Sequence, residues 1–135
     1  MIKAASNILC EGTIIKEDFI SQNDLISKIK NTALKYGLNL IVEEDFIKIG
    51  GGHLIGAERC VTVYNANHKK DYFGYAIVQR SHIEVNFIYL YLIEKSKSLR
   101  IYKNARIKSI GLFSKDEDLY CQMALSVINE AVECL

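Results

Sequence analysis

The stretch Gly50-Gly51-Gly52-His53-Leu54-Ile55-Gly56 has the residue types best suited to chemistry. Glycines let a backbone close on a ligand and leave amides free for an anion. A histidine titrates near neutrality, which suits acid–base work. The spacing fits no established phosphate loop. A Walker loop needs lysine and then serine or threonine after its glycines, where this chain has Ala57-Glu58. The nearest dinucleotide-type match, Gly50, Gly52 and Gly56, is one residue too long. Gly51, Gly52 and His53 are therefore candidates for a ligand-binding flap, and the competing reading is a plain connection between strands.

Nucleophilic catalysis requires a serine or cysteine held by a base and oriented by a third group, and the sequence has no Gly-x-Ser-x-Gly elbow. Cys60 is the thiol nearest His53 in sequence, a proximity any small protein offers. Cys10, Cys60, Cys121 and Cys134 form no Cys-x-x-Cys pair and no zinc-finger spacing. They read most simply as reduced, buried small hydrophobes. Glu43-Glu44-Asp45 lacks the alternate spacing of a calcium loop and reads as a solvated acidic turn. His68 and His82 fall in polar turns. The sequence thus assigns no catalytic residue, no metal ligand and no cofactor.

A third constellation is basic. Between Lys95 and Lys108 stand Lys95, Lys97, Arg100, Lys103, Arg106 and Lys108 with no acidic residue, and Tyr102 lies among them. On a hairpin, Arg100, Tyr102, Lys103, Arg106 and Lys108 would make a cationic sheet surface with one aromatic ring for stacking on bases. The alternative is a solvated edge hairpin whose cations discourage unwanted strand pairing.

These residues must be held by elements, and the hydropathy pattern supplies them. From Asp24 to Tyr36, Leu25, Ile26, Ile29, Ala33 and Tyr36 recur at helical spacing, with Ser21 as the start signal and Gly37 as the stop. Two short strands flank the acidic turn, Leu40-Ile41-Val42 and Phe46 to Ile49. Cys60 to Tyr64 and Tyr72 to Val78 form a hairpin. Ser81-His82 separates that hairpin from Ile83 to Ile93, half exposed at its start and apolar on both faces later, as a mid-sheet strand would be. Leu99 to Tyr102 and Ala105 to Ile110 continue the alternation.

The final helix, about Asp116 to Cys134, has one apolar side of Leu119, Met123, Val127 and Ala131. A second contains Cys121, Leu125, Ile128 and Val132. That arc is wider than packing on one sheet face requires. Cys121, Leu125, Ile128 and Val132 are therefore candidates for an interface with a second copy, the alternative being coverage by the first helix. The expected architecture is α+β: a single domain, residues 1–135, with an antiparallel sheet of about five to six strands. The sheet packs with one helix at about 24–36 and one at about 116–134.

Composition bounds the function. There is no proline, no linker-like stretch and no repeat. Seventeen basic against 16 acidic residues give a net charge of +1, which supplies no global attraction to nucleic acid or anionic membrane and little repulsion between copies. No apolar run approaches the ~20 residues needed to cross a bilayer, and nothing at the N-terminus reads as an export signal. The expectation is a cytoplasmic, non-catalytic protein-interaction module, meeting a protein partner or itself as a homodimer. Nucleic-acid binding through residues 95–108 and ligand binding by the loop 50–56 are the alternatives.

Overall fold

A computed structural model describes residues 2–4, 10–48, 56–66, 74–94 and 115–135. Its elements, in chain order, are β1 (Ile2–Ala4), β2 (Cys10–Lys16), α1 (Gln22–Lys35), β3 (Leu40–Lys48), β4 (Glu58–Asn65), β5 (Tyr75–His82), β6 (Val85–Glu94) and α2 (Lys115–Glu133). The α+β arrangement is as expected. The two helices lie with one face of a sheet whose long strands, β2 to β6, are all paired antiparallel.

Local chemistry sets the ends of α1. The Ser21 hydroxyl accepts from the Asp24 amide at 3.1 Å, which satisfies one orphan donor of the first turn. At the other end Gly37 takes φ +67°. There its amide donates to Leu34 O at 3.0 Å, and the Leu38 amide donates to Ala33 O at 2.8 Å. That double bond pattern is a Schellman close, and it needs a left-handed residue that glycine supplies without a Cβ clash. Tyr36, expected on the buried side, is the cap residue and is exposed.

β3 runs unbroken through Glu43-Glu44-Asp45, where the sequence suggested a turn. Every residue from Leu40 to Ile47 pairs with β4. The two glutamates are exposed and Asp45 is half-buried, so the strand carries them at little desolvation cost. Glu44 meets Arg59 at 3.7 Å on the surface.

β6 is central, as its two-sided hydropathy implied. One edge pairs with β5 along its length. The other pairs with β1 at Ile93 and Glu94 and with β2 from Asn86 to Tyr91. The hydropathy pattern marks neither β1 nor β2. β1 also pairs in parallel with the end of β3, Ile2 opposite Ile47, so the ladder β1-β3-β4-β5-β6 closes on itself at that end.

The sheet consequently has two buried faces. On the helix side, Leu25, Ile29 and Ala33 of α1 and Ala124, Val127, Ile128, Ala131 and Val132 of α2 join Val42, Val61, Val63, Tyr75, Ile77, Ile88 and Leu90 in one core. Each fully buried leucine or isoleucine there stabilises the fold by roughly 2 kcal/mol. On the opposite face Ile47, Cys60, Tyr64, Ala76, Val78, Tyr91 and Ile93 form a second core. The Tyr64 ring lies where a side chain on Gly74 would stand. Among the described residues no helix is long and apolar enough to cross a membrane.

Candidate functional site

The described part of the molecule offers three places where polar and exposed apolar groups gather: the second sheet face, the outer side of α2, and the end of the sheet beside the β5–β6 turn.

On the second sheet face, Arg80 donates through Nε and Nη2 to the two oxygens of Glu58 at 2.8 and 2.6 Å, and through Nη1 to the Tyr91 hydroxyl at 3.1 Å. Its guanidinium lies 4.8 Å from the Tyr89 ring centroid. The forked pair with Glu58 holds Arg80 firmly charged, its pKa raised. Each member answers another, so the cluster ties β4, β5 and β6 together. Beside it Cys60 is fully buried. Burial, with Asp45 and Glu58 nearby, pushes its thiol up to about 12, so the thiolate that nucleophilic or redox work needs is not formed. Cys60 is the buried small hydrophobe expected of it. Cys134 is exposed, against the same expectation, because it follows the last turn of α2 at the surface.

Along α2 two of the four residues expected at an interface are enclosed within the chain. Ile128 and Val132 are 2% and 1% exposed and packed within the chain; Leu125 is half-buried against the same core, and Cys121 lies within α2. The buried arc runs from Val127 through Ala131, Ala124 and Ile128 to Val132, about 140° of the helix circumference at 3.6 residues per turn. It is centred between the two stripes seen in the sequence because α2 packs at once on α1 and on the sheet. What remains outward is Leu119, with Gln122 and Ser126. These line a groove of about 490 Å³ together with Tyr36, Met123 and Glu130. The Tyr36 hydroxyl and the Lys35 ammonium both donate to Glu130 Oε1, at 2.8 and 3.3 Å.

Gly51, Gly52 and His53 lie outside the described residues, as do Arg100, Tyr102, Lys103, Arg106 and Lys108. His82 is exposed and closes the β5–β6 hairpin opposite Val85.

That hairpin is where the structure departs most from the sequence reading. The turn is Ile83-Glu84, not Ser81-His82, and Ile83 has φ +56°. Two-residue hairpin turns of this kind favour glycine or asparagine at a positive-φ position. A left-handed conformation costs an L-residue about 1–2 kcal/mol, and a β-branched side chain is the least suited to it. Ile83 is also 90% exposed, so burial returns almost nothing for that strain.

Two further exposed apolar groups lie towards this end of the sheet: Phe19 in the β2–α1 connection, 55% exposed, and Ile15 of β2, 62% exposed, which pairs with Phe87 and so stands on the face away from the helices. The connection is pinned from the sheet. Gln79 accepts the Ile20 amide at 3.0 Å and donates to the Ile20 carbonyl at 2.8 Å. Asn86, 1% exposed, donates to the Gln79 side-chain oxygen at 2.8 Å and reaches Asp18 O at 3.4 Å. Lys16 closes the same end by donating to the Glu133 and Leu135 carbonyls at 3.0 and 3.2 Å, a cation placed on the C-terminal carbonyls of α2.

No known protein family, curated protein or solved structure matches this chain.

The function must therefore be read from these groups alone. The sheet end presents a strained, exposed isoleucine beside exposed Phe19, and sequence reasoning misses it because Ile83 reads as a strand residue. The one available signal was the pair Glu84 and Asn86 interrupting an apolar run at the place where the chain reverses.

Proposed function

We propose that this protein is a cytoplasmic, non-catalytic protein-interaction module that meets its partner through the sheet end that carries Ile83 and Phe19. The observation that carries this reading is Ile83: an exposed β-branched residue held at φ +56°. Strain maintained at an exposed position is a sign of function, since a fold selected for stability alone would place glycine or asparagine there. Exposed large apolar groups gathered at one end have the same meaning. The polar clusters elsewhere favour a structural rather than a chemical role, since Arg80 is spent on Glu58 and Tyr91 and the Cys60 thiol stays protonated. The free thiols of Cys60 and Cys134 fit a reducing compartment.

The partner under this reading is another protein rather than a second copy. The near-neutral net charge favours self-association, but two of the helix residues expected to carry it, Ile128 and Val132, are enclosed. The test is the light-scattering mass of the gently purified full chain from its native host, beside Ile83→Ser and Leu34→Ser variants. Leu34 is 74% exposed on α1 and serves as the control. A complex lost in Ile83→Ser and kept in Leu34→Ser supports the proposal. A mass of two chains that survives both variants, or a monomer in all three, contradicts it.

A further inference from the structure

The end of the sheet that carries the apolar surface is also the place where negative charge collects, although the chain as a whole is nearly neutral. The β2–α1 connection and the start of α1 line a groove of about 450 Å³. Its apolar members are Phe19, Ile20 and Leu135; its charged members are the carboxylates of Glu17, Asp18 and Asp24 against the single ammonium of Lys16. All three carboxylates are exposed, as is Glu84 at the neighbouring hairpin tip. None of the four takes part in an ion pair among the described residues. Lys16 is committed to the Glu133 and Leu135 carbonyls. The local balance is three negative charges to one positive.

Resting on the reading of this end as the docking surface, we infer that its occupant is a basic, apolar segment of a partner protein, a stretch in which leucine- or isoleucine-type side chains alternate with lysine or arginine. Apolar side chains of such a segment cover Phe19 and Ile83, and its cations face Glu17, Asp18 and Glu84. Charge complementarity selects this occupant over others. An acidic segment or an anionic lipid surface is repelled by the same carboxylates, and a second copy docked end to end would bring like charges together. The Gln79 and Asn86 hydrogen bonds hold the connection in place before binding, so little ordering cost falls on the encounter.

The probe is a pair of short synthetic peptides with leucine at the same alternate positions, one with lysine and one with glutamate between them, titrated into the ¹⁵N-labelled full chain. The lysine peptide is expected to shift the amide resonances of residues 16–24 and 82–87 saturably. Its affinity should fall roughly tenfold between low and high salt, because exposed charges carry the attraction. A Glu17→Gln/Asp18→Asn variant should weaken it several-fold, and Ile83→Ser should weaken it without changing the salt dependence. Equal binding of the glutamate peptide at these residues overturns the basic partner while leaving the docking surface standing. Shifts confined to other parts of the chain, or none with either peptide, overturn both.

Discussion

Replacing Ile83 by glycine should make the isolated protein more stable, an unusual outcome for removing a large apolar side chain. Because Ile83 is 90% exposed, its deletion forfeits almost no buried surface. At φ +56° the isoleucine bears about 1.5–2 kcal/mol of left-handed strain, which glycine abolishes. Glycine brings its own cost of about 0.5–1 kcal/mol in unfolded-chain entropy. The balance is a gain of about 0.5–1.5 kcal/mol, or a Tm rise of about 2–6 °C for a chain of this size. Ile83→Ala keeps the strained backbone and should lie within about 0.5 kcal/mol of the parent. Urea denaturation of the three proteins, with m-values compared, measures this directly. A loss of more than about 1 kcal/mol in Ile83→Gly would refute the reasoning, because the side chain would then be holding the hairpin and its exposure would need no functional explanation.

Other substitutions probe the frame that holds this surface. Gly74→Ala should destabilise the fold by about 1–3 kcal/mol, since the added methyl meets the buried Tyr64 ring, and Tyr64→Leu in the same chain should recover part of the loss in thermal melts. Gln79→Ala removes both hydrogen bonds to Ile20 and leaves part-buried backbone groups unanswered, so a cost of about 1–3 kcal/mol and faster amide exchange at Ile20 are expected. Glu130 is held below the ordinary carboxylate range, first by the Tyr36 hydroxyl and then by Lys35. A depressed folded-state pKa contributes stability that is present above the unfolded value of about 4.3 and lost as pH falls through the folded one. The parent should thus exceed Glu130→Gln in Tm at neutral pH, with the gap closing on acidification below about pH 4; a gap independent of pH would count against the contact.

How much of this the sequence revealed follows from which forces are local. α1 was legible because its cap, its stripe and its closing glycine all lie within one short segment. The buried double face of β6 was legible because full burial leaves a run of apolar residues. β2 was not, since Glu11 and Gly12 break its hydropathy and the strand exists through its pairing with β6. The acidic run in β3 misleads for the opposite reason: three carboxylates resemble a turn, yet continuous pairing with β4 holds them in a strand, Glu44 on one face and Glu43 and Asp45 on the other. The width of the α2 arc was legible, and so were its two possible causes; coverage by the first helix is the one that the shared core of α1, α2 and the sheet supplies for Ile128 and Val132, a choice that depends on tertiary geometry. Ile83 was hidden because propensity assigns isoleucine to strands; its positive φ appears only when the hairpin register places it at the turn.

The most direct test of the docking surface is site-specific photo-crosslinking in the native host, with a benzoylphenylalanine placed at Phe19 and, in a separate chain, at Leu34. Both positions are exposed, 55% and 74%, and they stand at opposite ends of α1, Phe19 just before its first turn and Leu34 in its last. A discrete cross-linked product of one size is expected from position 19, its yield lowered several-fold by adding Glu17→Gln/Asp18→Asn, and no such product from position 34. The same product from both positions, or a product from position 34 alone, would contradict it.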